Sequence, residues 1–182
     1  EMGALASQWF SDFLGMPGLR LLRFDPEQRR LSSRQWTGDI EAENAFADGF
    51  PLLVASTASL DELNRRLAAA GDAPVSLQRF RPNLVLDGLD NAHDEDFIDE
   101  LLITTDDGPV RLKLVKPCVR CSIPDVDPAN AETGTSVSRA LAAYRADARM
   151  GGGLTFGMNA VVVEGFGRTL RQGAVVTGSL AV

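Results

Sequence analysis

Residues that usually carry chemistry are scarce in this chain: two cysteines, one histidine and two lysines among 182 residues. Two cysteines three positions apart cannot staple a chain of this length. Their use points to a reducing compartment, and a cytoplasmic location is expected. The only histidine, His93, lies in an acidic stretch where a solvated side chain is expected, which leaves Ser-His-Asp hydrolysis without support. A basic excess is also missing. The formal charge of −7 argues against nucleic acid as a partner, because phosphate backbones call for a basic face. No apolar run approaches the ~18–20 residues of a membrane span, so no membrane partner is expected. Residues 1–15 lack a basic leader, and Ser11, Asp12 and Gly15 interrupt their apolar residues, unlike a secretory signal. Gly151-Gly152-Gly153 has no following Lys-Ser/Thr and no preceding strand. It reads as a loop or hinge, not a phosphate loop.

What is present reads as an α+β, mainly β, chain. Leu5, Trp9 and Phe13 recur at helical spacing and Gly15 follows, which predicts a short helix over 4–14. Leu19–Phe24 reads as a strand, Asp25-Pro26-Glu27-Gln28 as a turn, and 32–48 as a loop. Phe50–Ser56 is an apolar run of strand length. Ser59-Leu60-Asp61-Glu62 has the form of a capping box, opening a helix to about Ala70. Leu84–Leu86 is a further strand. The acidic stretch 89–100 is expected to hold one helical turn near Phe97. Leu101–Thr105 and Val110–Val115 form a hairpin, with Val110, Leu112 and Leu114 alternating with Arg111 and Lys113. A helix over 136–147, a strand from Ala160 to Val163 and two short strands at 169–171 and 174–177 complete the pattern. Many short strands and few helices predict a barrel-like β core with helices outside, in a single domain over residues 1–182.

Both cysteines sit in Lys116-Pro117-Cys118-Val119-Arg120-Cys121, at the end of the hairpin. A structural zinc would need further ligands that the sequence does not supply. A thioredoxin-like pair would normally open a helix, and Pro124 follows instead. What remains is a thiolate on a soft metal beside Arg120, or two inert buried cysteines; spacing alone leaves both open. Arg81-Pro82-Asn83 is the second cluster. Pro82 disfavours helical geometry before it and predicts an extended Arg81. The arginine fork and the Asn83 amide could hold a phosphate, or Arg81 could be a surface ion pair.

The order of these motifs resembles a known family. Asp48-Gly49-Phe50-Pro51-Leu52-Leu53, Ser56, Ala58–Asn64, Phe80-Arg81-Pro82-Asn83-Leu84-Val85, the cysteine segment with Asp125-Val126-Asp127-Pro128, and Phe156-Gly157-Met158-Asn159 follow one another as in the MOSC domain. The resemblance spans about residues 5–178 and is greatest to the branch of amidoxime-reducing components and their bacterial relatives. It implies a barrel-type core holding a molybdenum–molybdopterin cofactor, with Cys121 as the catalytic molybdenum ligand and Cys118 as a neighbour. Arg81 and Asn83 would contact the pterin and its phosphate. Arg120, Ser56, Ser59 and Asn159 would line the same pocket. A soft metal on thiolate and a phosphate on arginine agree with that chemistry.

The resemblance also implies reduction of N-hydroxylated small molecules, with electrons from a flavoprotein or iron–sulfur partner. The alternative in the same class is a sulfur carrier, or a cofactor-binding module without its own turnover. Met158 and Gly173-Ala174 depart from the Gln and Gly-Asp frequent in that branch. The β-rich N-terminal domain usual there has no counterpart in residues 1–182, so weak retention of cofactor and low activity of the isolated chain are expected.

Overall fold

In the computed structural model, which describes residues 1–180, the sheet and its flanking helices are built from residues 52–180. Before them come α1 (Ala4–Leu14) and α2 (Arg34–Thr37), and no residue ahead of Ser32 is buried. α1 ends as its sequence dictates: Gly15 takes φ 62°, and its amide donates back to Asp12 O.

The main elements are β1 (Leu52–Ser56), α3 (Thr57–Ala69), β2 (Leu84–Leu86), β3 (Ile98–Ile103), β4 (Val110–Val119), α4 (Ser136–Ala142), β5 (Ala146–Asp147), β6 (Gly153–Glu164) and β7 (Val176–Leu180). The sheet runs β2-β1-β6-β4-β3-β7, with β5 added to one end of β6. β1 and β2 are parallel and the other pairs antiparallel. The sheet curls into a half-barrel, a mixed α+β architecture. Its inner face carries Val54, Leu86, Ile98, Leu101, Leu112, Leu114, Met158 and Ala160. A second core, with Ala55 and Phe156 from the sheet, packs under Leu63 and Leu67 of α3 and Val137 and Leu141 of α4.

Two bulges set the outer face. Leu114 pairs with Ala160, but Lys116 pairs with Asn159, so β4 advances two residues while β6 advances one. The extra residue, Val115, shifts the alternation of β4. Leu114 and Pro117 are buried, while Lys116 and Cys118 fall on the outer side and are half-buried. Further on, Pro117 pairs with Met158 and Val119 with Thr155, which places the second bulge on β6 around Gly157. Gly157 has φ 75°, and a Cβ there would lie 2.5 Å from Val54 O, so only glycine fits.

Several expectations are corrected. Residues 19–24 form no strand: their apolar side chains have no sheet to join, and Leu22 is 50% exposed. The cap of α3 is Ser56, whose Oγ accepts from Ser59 N at 3.1 Å. Glu62 instead pairs with Arg65 and Arg66, and the hydrogen bond from Arg65 holds its carboxyl down at about 2. The loop over 32–48 contains α2 and a bridge between Leu31 and Glu43. The helix expected to Asp147 ends at Ala142, because Arg145 O is taken by the Thr155 amide and the chain turns into β5. Gly153 is no hinge; it opens β6 with its Cα against Val119. One strand, 176–180, replaces the two expected near the C-terminus, because pairing with β3 sets its limits.

Candidate functional site

The cysteine segment leaves β4 beside the end of β6. Arg120 N donates to Leu154 O, which prolongs the pairing by one residue. The chain then turns through Ser122-Ile123-Pro124-Asp125. Asp125 is buried because Oδ1 accepts the amides of Val137 and Ser138 at 3.0 and 3.1 Å, capping α4 from outside the helix. Asp127 takes the Arg79 guanidinium at 3.0 Å. These two bonds explain Asp125-Val126-Asp127-Pro128: the acids clamp the turn after the cysteines to α4 and to the segment carrying Arg81.

Cys118 and Cys121 are both free thiols, and the two differ. Cys121 is exposed, whereas Cys118 is half-buried and accepts from Arg120 Nη1 at 3.0 Å. Arg120 Nη2 donates to Phe80 O at 2.9 Å, so one guanidinium ties the cysteine segment to the residue before Arg81. Its plane lies over the Phe80 ring at 5.5 Å, and its Nε is buried without a partner.

Arg81 is exposed and has no carboxylate partner among the described residues. Its backbone is not extended as Pro82 predicted. It holds φ 56°, the left-handed region, because its amide closes the turn of Leu77–Arg79 by donating to Gln78 O. A non-glycine residue there costs on the order of 1 kcal/mol or more. Asn83 follows as an imitation strand residue. Its amide donates to Leu53 O at 2.9 Å and its Oδ1 accepts from Leu53 N at 2.8 Å, leaving Nδ2 unpaired among the described residues. Asn159 pairs with Leu53 on one side and Lys116 on the other, and its Nδ2 donates to Lys116 O at 3.3 Å. Asn83, Leu53, Asn159 and Lys116 therefore form a row across the outer face.

Ser56 and Ser59 lie behind this face and are fully buried. Both hydroxyls donate to Glu95, at 2.6 Å from Ser59 and 2.9 Å from Ser56, at the N-terminus of α3. Ser59 Oγ also accepts from His93 N at 2.8 Å. Glu95 is a functional-looking residue that sequence reasoning missed: nothing distinguishes it from its acidic neighbours until the fold buries it. His93 is likewise not solvated. It is 8% exposed and packed edge-on to Phe156, and burial lowers its pKa to about 4. Arg145 and Asp96 form a buried pair at 2.6 Å nearby.

An apolar hollow of about 400 Å³ lies between Leu86, Leu89, Ile98, Leu101 and Val176, on the inner face and lined by none of the candidate site residues. The recess beside Cys121 is only about 20 Å³. The candidate site is thus an open face, and its chemistry outweighs the size of the remote hollow. It offers one exposed thiol, no cluster of three metal-ligating side chains among the described residues, and cations free of carboxylates. Among the described residues, eleven of the 18 basic side chains pair with a carboxylate; Arg81, Arg120 and Lys116 on this face do not, nor do Arg20, Arg23, Arg30 and Arg168 elsewhere. That donor set fits a metal carried by a soft, anionic cofactor, with a single protein thiolate. The orphaned Nε of Arg120 is a donor such a group could engage.

No helix among the described residues is long and apolar enough to cross a membrane. The MOSC domain model matches residues 41–179. Mitochondrial amidoxime-reducing component 1 of Mus musculus is 41% identical over 138 residues, covering 75% of this chain and 37% of that protein. Mitochondrial amidoxime reducing component 2 of Homo sapiens is 38% identical over 130 residues, covering 70% of this chain and 36% of its own length. Component 1 of Homo sapiens is likewise 38% identical over 130 residues. The chain thus spans little more than a third of the curated relatives it matches.

Proposed function

Since the chain belongs to the MOSC domain family, we propose that it is the molybdenum-cofactor-binding part of an oxidoreductase acting on N-hydroxylated small molecules. One observation carries this: an exposed thiol, Cys121, beside basic groups that the fold leaves without carboxylates. Cys121 would be the metal ligand. Arg81 and Asn83, at the start of β2, and Arg120 and Asn159, beside the cysteines, would hold the anionic pterin part. Ser56 and Ser59 support the face from behind through Glu95.

When bound, the cofactor supplies two-electron exchange at an N–O bond. The overall change is R=N–OH plus two electrons and two protons giving R=NH and water. Electrons would come from a flavoprotein or iron–sulfur partner. The chain's own part is positional. Arg120 fixes the cysteine turn against Phe80 O. The clamps of Asp125 and Asp127 keep that turn from swinging away. Openness of the face gives a planar substrate access from solvent.

The test is anaerobic loading with cofactor, molybdenum analysis, and then amidoxime reduction with an artificial electron donor. Molybdenum retained by the parent, even below one equivalent, and none by Cys121→Ala supports the reading. Equal loading and equal activity in both would sink it. A persulfide on Cys121 without metal uptake would favour the sulfur-carrier alternative.

A further inference from the structure

We infer that Lys116 is a further anion-binding residue of this face, held in an aromatic corner to receive a phosphate-type oxyanion. The inference deepens the cofactor reading and rests on it for the identity of the anion.

Four observations lead to it. First, the Val115 bulge is what places Lys116 on the outer side with Cys118; unbroken alternation from Leu114 would have put it inside. Second, its ammonium has no carboxylate partner among the described residues, although the chain carries 25 acidic residues. The only other lysine, Lys113 on the same strand, is paired with Asp99 at 3.0 Å. Third, Lys116 Nζ stands 5.4 Å from the Trp36 ring centre and 5.9 Å from that of Phe50. The rings attract a cation by their quadrupole but cannot neutralise it, and they keep water from one side of it. A half-desolvated, unpaired ammonium is a stronger partner for an anion than a mobile one. Fourth, Asn159 Nδ2 donates to the Lys116 carbonyl, so backbone and ring contacts fix the residue from both ends.

These features also assign a role to α2. The helix is four residues long and contributes Trp36 to the corner. It acts as a positioning element for the cation.

Having only two lysines makes the test direct. Reductive methylation with ¹³C labels Lys113, Lys116 and the amino terminus while preserving their charge. Inorganic phosphate is then titrated against the labelled protein, with acetate replaced to hold ionic strength constant. The Lys116 signal should move saturably and the Lys113 signal should stay in place. Trp36→Ala should weaken the phosphate response by about two- to fivefold. In unmethylated protein, phosphate should raise the melting temperature of the parent and not of Lys116→Gln. Equal movement of both lysine signals, a response that never saturates, or the same response to acetate would overturn the inference. Failure of the molybdenum reading shows separately, as absence of metal in loaded protein whose Lys116 still answers phosphate.

Discussion

Two polar clusters flank the stacked rings of Phe80 and Phe156, whose centres are 3.9 Å apart, and they treat hydrogen bonding in opposite ways. On the Phe156 side, Glu95 takes both serine hydroxyls and Arg145 takes Asp96, all away from solvent. On the Phe80 side, Arg81 and Lys116 have no acid and Cys121 no partner, and they stand on an open face. The difference separates scaffold from binding surface. The bonds to Glu95 hold α3 against the sheet, although both ring nitrogens of His93, Asp96 Oδ1 and the Tyr144 hydroxyl are buried there without a partner among the described residues. Groups left unmet on the open face await something the chain does not contain.

Substitutions should divide along the same line. The most severe is Gly157→Ala, which drives a methyl into Val54 O at a positive φ. A loss on the order of 4 kcal/mol in urea unfolding is expected. Glu95→Ala comes next. It leaves two buried hydroxyls without their acceptor and should cost about 3 kcal/mol by the same measurement.

Acid should probe the buried cluster through His93. Its folded pKa of about 4 lies below the ordinary value, so the unfolded chain takes up the proton first. Stability is then complete above about pH 6.5 and falls as pH drops toward 4, by up to about 3 kcal/mol. Asp96 works in the opposite sense, since burial raises its pKa. His93→Asn, which suits the φ of 67°, should flatten the His93 component of the profile and leave that of Asp96.

The open face should respond differently. Arg81→Gly relieves a left-handed arginine and should stabilise by up to about 1 kcal/mol while weakening phosphate binding. Cys121→Ser should leave urea unfolding within about 0.5 kcal/mol of the parent and abolish metal uptake. A large stability loss in either variant would erase the distinction between the clusters.

Local pattern made half of this legible. The period of β4 and its turn, the leucines of α3 and the apolar run of β1 are each encoded over a few residues, and each appears where its sequence predicts. Partner-dependent features were not legible. Leu19–Phe24 has the length and apolar content of a strand, yet a strand exists only where another pairs with it. The Val115 bulge is invisible without the register of β6. Ser59 and Glu62 have the form of a capping box, but the turn from β1 brings Ser56 into the cap first. Arg81 could be singled out by its neighbours Pro82 and Asn83. Its left-handed backbone follows from a hydrogen bond to Gln78 O that no spacing rule announces.

The extra residue in β4 also makes the face sensitive to counting. Deleting Val115 would only restore regular pairing and leave Lys116 and Cys118 outward, whereas one residue inserted between Asn159 and Ala160, opposite Val115, would complete the alternation, turn Lys116 and Cys118 toward the leucines of the inner layer and send Pro117 out. The chemistry of this surface is written partly in an odd number, and a one-residue insertion in the partner strand silences it while every reactive side chain remains in the sequence.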